Sequence, residues 1–322
     1  MDGMNRRQAL RSSVTAAGGL SMMAAGLACA ATTDAPAMDA ARAAPGRGRA
    51  GTDPFVETRD GTRLFHLDWG TGKPVVFLHA WALNADLWEY QMTELVDRGL
   101  RCVAYDRRGH GRSSDPGRGY DFDTLADDLA TVLEQLDLHD VTLVGHSMGG
   151  GEIARYLTRH GTARIARAVL TSAVTPIVAR RPDYPEGTPP EAYEALVAAL
   201  KADRPAALTA GVPLFTGARR EVSPAMVQWL TAAFLRASPK AAIECMRAIA
   251  VADFRPDMRS FTIPTLIIHG DDDQLNNLDL TGRKTAQAIR GSELRIYDGA
   301  PHGLPLTDRS RFTQDLLAFA RG

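Results

Sequence analysis

Cysteine is scarce, with three residues in 322: Cys29, Cys102 and Cys245. Three cannot build a disulfide scaffold. An excess of charge of either sign is also missing. Lys plus Arg number 37 against 38 Asp plus Glu, a net charge of −1, so the chain lacks the basic footprint of a nucleic-acid binder. No apolar run reaches about 18 residues without a Gly or polar interruption, so no membrane-spanning helix is expected. What is present is apolar. Hydrophobic residues make up 45% of the chain, enough to offset chain entropy by burying a core, and bulk disorder is not expected. At about 100–200 residues per domain, the length fits two domains or one large one.

The first 52 residues differ from the rest. Asn5-Arg6-Arg7-Gln8-Ala9-Leu10-Arg11 precedes a mildly apolar run, Val14 to Ala28, that ends in small residues. A basic stretch, an apolar stretch and a small-residue end make an export signal. The Arg6-Arg7 pair gives it the form of a twin-arginine signal. Residues 1–30 are therefore read as a signal peptide cut near Ala28-Cys29-Ala30, which places the mature protein in the periplasm or outside the cell. Lipidation of Cys29 is the competing reading, but Gly26 stands where the lipoprotein motif usually carries Leu. Residues 31–52, rich in Ala, Pro, Gly, Thr and Arg, read as a flexible spacer. Cys102 falls in a strand pattern and Cys245 in a helical one, so both are expected as buried free thiols.

From residue 53 the pattern alternates. Asp60-Gly61 sits between strand-like runs, a hairpin signal. Apolar runs follow at Val75–Leu78, Cys102–Tyr105, Val141–Val144, Ala168–Leu170, Thr265–Ile268 and Leu294–Tyr297. Continuous rather than alternating apolar runs suit a parallel sheet covered on both faces. Helical spacing appears at 86–96, 123–136, 150–159, 281–289 and 310–320, with Asp123 placed as an N-cap. The alternation predicts an α/β fold, a mostly parallel eight-stranded sheet flanked by helices. Between about 176 and 261 no strand pattern occurs. Helical patterns at 191–201, 224–235 and 239–251 suggest a helical cap inserted into a single domain spanning 53–322.

Gly145-His146-Ser147-Met148-Gly149 fits G-x-S-x-G after a buried strand and before a helix, the context of a nucleophile elbow. The sharp turn needs small residues two before and two after the serine. A serine nucleophile needs a base oriented by a third group. Chain order Ser, acid, His places the base after the last strand, at His302. The acid should follow the strand before it, where Asp271, Asp272 and Asp273 stand together. Three adjacent carboxylates do not give the six to eight spaced oxygens of a calcium site, so neither metal nor cofactor is expected. The backbone N–H of Met148 is one oxyanion donor, and the second comes from His79-Ala80-Trp81-Ala82-Leu83. In the cap, Phe215, Met226, Trp229, Phe234 and Met246 either line an acyl site or pack the cap on the core.

These strings, with Tyr105-Asp106-Arg107-Arg108-Gly109-His110-Gly111-Arg112-Ser113, Gly119–Thr124, Leu143–Tyr156, Asp253–Met258, His269-Gly270 and Ala300–Gly303, resemble an α/β-hydrolase subgroup. It comprises bacterial arylesterases and cofactor-free, non-haem haloperoxidases or perhydrolases. The resemblance spans about Phe55 to Phe319. It implies an α/β-hydrolase fold, a Ser147–His302–Asp273 triad and oxyanion N–H groups from Trp81 and Met148. It further implies hydrolysis of small aryl or alkyl esters, with peracid formation and halide oxidation as side activities. A small-molecule ester is the expected partner, with a homo-oligomer left open. A lactonase, or another acyl hydrolase or acyltransferase on the same residues, is the alternative, and a non-catalytic ligand-binding protein a remote one. Three positions depart from the family pattern: Ala80 replaces Gly, Ala82 stands where haloperoxidases often have Pro, and Leu275-Asn276-Asn277 displaces an apolar-Pro pair. Dehalogenases and epoxide hydrolases need Asp at position 147. A dinucleotide site is disfavoured because Gly109-His110-Gly111 has no third glycine and opens no helix.

Overall fold

The apolar runs become the strands of one sheet. The computed structural model describes residues 53–322; the expected signal (1–30) and spacer (31–52) lie outside them. The strands are β1 (Phe55–Glu57), β2 (Arg63–Gly70), β3 (Pro74–Leu78), β4 (Arg101–Tyr105), β5 (Val141–His146), β6 (Ile165–Thr171), β7 (Thr265–Gly270) and β8 (Glu293–Tyr297). Their order is β1-β2-β4-β3-β5-β6-β7-β8. β2 pairs antiparallel with β1 and β4, and every other pairing is parallel.

The helices are α1 (Glu89–Asp97), α2 (Phe122–Gln135), α3 (Met148–His160), α4 (Pro190–Thr216), α5 (Pro224–Phe234), α6 (Pro239–Val251), α7 (Gly282–Ala288), α8 (Leu304–Thr307) and α9 (Arg309–Arg321). Side chains of β3 point alternately to opposite faces, as a pleated strand requires. Val76 and Leu78 join a core with α2 and α3. Val75 and Phe77 join a second core with α1 and α9. This two-sided burial explains why the central strands read as unbroken apolar runs. Among the described residues, Cys102 and Cys245 are buried and unbridged, and burial pushes each thiol up to about 12.

Several boundaries differ from the sequence expectation. Asp121, not Asp123, caps α2, its side chain accepting from Thr124 N at 2.9 Å. α3 begins at Met148 rather than Gly150, directly after the serine. α4 runs well past residue 201, through a kink at Asp203 (φ −153°, ψ 87°). There the Asp203 carboxylate caps Ala206 N at 3.0 Å. Pro205 thus falls in the first turn of a new segment, where a missing N–H costs nothing. Pro205 and Pro213 hid this second segment from the sequence pattern. α8 was not visible in the sequence either. The stretch between β6 and β7 holds α4, α5 and α6 and no strand. Among the described residues, no helix is long and apolar enough to cross a membrane.

Candidate active site

The carboxyl ends of the parallel strands gather the site, as open α/β sheets generally do. β5 ends at His146, and Ser147 follows with φ 55° and ψ −113°. A positive φ is costly for a residue with a Cβ. The turn is held by Ser147 N donating to Thr171 O at 2.9 Å and by Ser147 O accepting from Gly150 N and Val174 N. The flanking glycines are steric necessities. A Cβ on Gly145 would stand 2.6 Å from the Gly149 backbone, and one on Gly149 would stand 2.5 Å from Leu78 O. The strain is therefore maintained by a strand on one side and a helix on the other, and it sets Ser147 at the first turn of α3.

His302 follows β8, and its Nδ1–H donates to Asp273 Oδ2 at 2.9 Å. The other two carboxylates are engaged elsewhere. Asp271 accepts from Gly299 N at 2.6 Å, and Asp272 lies 3.8 Å from the Arg219 guanidinium. Asp273 carries further donors. Its Oδ1 accepts from Leu275 N at 2.9 Å and Asn276 N at 2.8 Å, and its Oδ2 is 3.3 Å from His269 Nε2. Burial alone would raise this carboxyl, but the adjoining His302 and the hydrogen bonds from His269 and His302 hold it far below the usual carboxylate range. The unexpected Leu275-Asn276-Asn277 stretch thus forms part of the cradle of the Asp273 carboxylate. Asn276 Nδ2 donates to Ser172 O at 2.8 Å, and its carbonyl accepts from His269 at 2.7 Å.

His146 lies beneath His302, its ring centroid 4.9 Å away and its Nε2–H donating to the His302 carbonyl at 2.9 Å. Burial and the neighbouring His302 push His146 down to about 3, so it is neutral. The loop after β3 carries Ala80 and Trp81 into the same cavity. Among the described residues, the backbone N–H groups of Trp81 and Met148 have no protein acceptor; for Met148 this follows from its place in the first turn of a helix. The Trp81 indole N–H donates to Ala242 O on α6 at 2.8 Å. Ala82 adopts φ 59°, which proline, locked near −65°, could not do. The substitution at Ala82 therefore accompanies a loop conformation a proline could not share.

Ser147, His302, Ala80 and Trp81 border a cavity of about 390 Å³. Val174, Val178, Tyr193, Leu196, Leu214 and Phe234 are among the residues that line it. No Asp, Glu, Lys or Arg contributes to its wall. Phe215, Phe234 and Met246 of the five cap residues singled out from the sequence line it, whereas Met226 and Trp229 pack against the core formed with α1 and α9. Sequence reasoning missed His269 and Asn276 at Asp273, and Arg107 behind the Trp81 loop. The signal for Arg107 was a charged residue two positions after an apolar strand, at the carboxyl end of the sheet where burial is the rule. Among the described residues, no cluster of His, Cys, Asp or Glu is arranged to hold a metal ion.

A serine on a strained elbow, with an Asp–His pair at the carboxyl edge of this sheet, defines the α/β hydrolases. The chain belongs to that family: the family described as alpha/beta hydrolase fold matches residues 73–308. The relatives narrow the group. A non-heme chloroperoxidase of Kitasatospora aureofaciens is 45% identical over 272 residues, covering 83% of this chain and 98% of that protein. A bifunctional esterase/perhydrolase of Acinetobacter calcoaceticus is 38% identical over 275 residues, covering 83% and 99%. Among solved structures, an esterase from Exiguobacterium antarcticum superposes with a TM-score of 0.81 at 34% identity, covering 84% of this chain and all of that one.

Proposed function

We propose that the protein is a carboxylic ester hydrolase acting through Ser147, His302 and Asp273, with peracid formation as a side activity. The observation that carries this reading is the 2.9 Å His302–Asp273 bond beside Ser147 in one apolar cavity. His302 takes the Ser147 proton as Oγ attacks the ester carbonyl. The Trp81 and Met148 N–H groups receive the oxyanion, and the N-terminus of α3 favours its charge. His302 then returns the proton to the departing alcohol, leaving an acyl-serine. Asp273 keeps His302 in the Nδ1–H tautomer and stabilises its cation. Water releases the acid. Hydrogen peroxide in place of water releases a peracid, which can oxidise halide in solution. The wall without charged residues suits uncharged esters, since a charge would enter unpaired.

Two assays test this. A panel of aryl and alkyl acetates is expected to be hydrolysed by the wild type and not by Ser147→Ala; unchanged hydrolysis in the variant overturns the proposal. With peroxide and bromide, monochlorodimedone halogenation is expected in acetate buffer and not in acetate-free buffer. For residues 1–30 we propose twin-arginine export. The Arg6-Arg7 pair supports it, and Arg6→Lys/Arg7→Lys is expected to keep the protein in the cytoplasm.

A further inference from the structure

An oxyanion donor works only if it is aimed, and the Trp81 N–H lies on a loop with no helix or strand to aim it. The peptide group joining Ala80 to Trp81 is planar, and in the trans form its C=O and N–H point in opposite directions. Whatever holds the Ala80 oxygen therefore directs the Trp81 N–H. That oxygen accepts twice, from the Leu83 backbone N–H at 3.2 Å, which closes the turn, and from His79 Nδ1–H at 2.8 Å, the shorter bond and the one that ties the turn to the rest of the molecule. His79 can donate from Nδ1 because its Nε2 is taken up as an acceptor, by the Arg107 backbone N–H at 3.0 Å. The Arg107 side chain holds the loop a second time, Nη2 donating to the His79 carbonyl at 2.8 Å. Its Nε donates to Glu152 Oε1 at 2.5 Å, and Tyr105 OH donates to Glu152 Oε2 at 3.2 Å. Glu152 lies on α3, four residues after Met148 and hence about one turn along the same face.

Arg107 thus connects the loop that carries one oxyanion donor to the helix that carries the other. His79, Tyr105, Arg107 and Glu152 are all at most 2% exposed. A buried ion pair is often replaceable by apolar residues without loss of stability, so fold stability alone gives little reason for one at this place. Resting on the oxyanion role given to Trp81 above, we propose that Arg107, anchored by Glu152, is a positioning residue that works through His79 to aim the Trp81 N–H.

The test compares kcat, KM and inhibition by a boronic acid, whose tetrahedral adduct with serine fills the oxyanion pocket. Arg107→Lys keeps the charge and loses the fork between His79 and Glu152. It is expected to lower kcat about 10- to 100-fold, somewhat less than deletion of a whole donor, with KM changed less than threefold. Boronate affinity should fall by a similar factor. Two His79 variants give the same contrast should Arg107→Lys not fold. In His79→Asn the Nδ2 can still donate to the Ala80 oxygen, and at least a tenth of wild-type kcat should remain. In His79→Gln, closer in size but without a donor at that point, the loss should match that of Arg107→Lys. A mere space-filling role predicts the reverse ranking. The proposal is overturned if Arg107→Lys keeps kcat within twofold, if boronate affinity holds while kcat falls, or if Gln outperforms Asn. Failure of the hydrolase reading itself would look different: the wild type would form no boronate adduct on Ser147.

Discussion

Acidification should destabilise the fold well above the carboxylate range, through histidines that the interior keeps neutral. His110 is fully buried. Its Nδ1–H donates to Arg108 O at 2.9 Å, and its Nε2 has no partner among the described residues. Burial, and then the charge of Arg107, push it down to about 3. The unfolded chain, with an ordinary histidine near 6.5, takes up the proton first. A folded value below the unfolded one stabilises the protein fully above pH 6.5, and the stability is lost as pH falls toward 3. From pH 7.5 to pH 5.0 that linkage is about 2 kcal/mol for His110. His146, equally lowered to about 3, adds a similar amount, for about 4 kcal/mol together. This is a large share of the roughly 5–15 kcal/mol typical of a domain. Urea unfolding at pH 7.5, 6.0 and 5.0 measures the loss. His110→Leu cannot titrate, so its loss over the same interval should be smaller than that of the wild type by about 2 kcal/mol. Equal losses in the two proteins would refute the reasoning, as would a wild-type stability independent of pH over this range.

Other perturbations reach the site directly. Gly149→Ala would force a Cβ to 2.5 Å from Leu78 O; it should destabilise by about 1–3 kcal/mol, read by thermal unfolding, and slow labelling by a fluorophosphonate. Trp81→Phe removes the indole donor to Ala242 but keeps the backbone N–H. It should cost about 1 kcal/mol of stability and less than tenfold in kcat, and a full loss of turnover would contradict the backbone role. Asp273→Asn should lower kcat on the order of 10⁴-fold, whereas Asp272→Asn should stay within a few-fold. The reverse order would move the acid to Asp272.

The sheet was legible because burial on both faces leaves little room for polar residues in β3, β5 and β7. The elbow was legible because its steric demand falls on small residues at fixed offsets, Gly145 and Gly149. His302 was legible from chain order as the candidate base. The candidate acid was not: Asp271, Asp272 and Asp273 are alike in the sequence, and only the resemblance singled out one. In the structure the difference lies in backbone donors from Leu275 and Asn276 and a histidine four residues back. The second segment of α4 was illegible because a proline that reads as a helix breaker sits after a new N-cap. Arg107 and Glu152 lie 45 residues apart, so although the place of Arg107 just past an apolar strand hints at burial, nothing in the sequence pairs it with Glu152.

The central claim is that acyl transfer passes through Ser147. Rapid-quench mass spectrometry during turnover of an aryl acetate tests it most directly. An acetyl group carried by Ser147 in the wild type, accumulating within the first turnover and absent from Ser147→Ala, is the predicted result. Steady turnover with no adduct, or with the acetyl group on another residue, would contradict it.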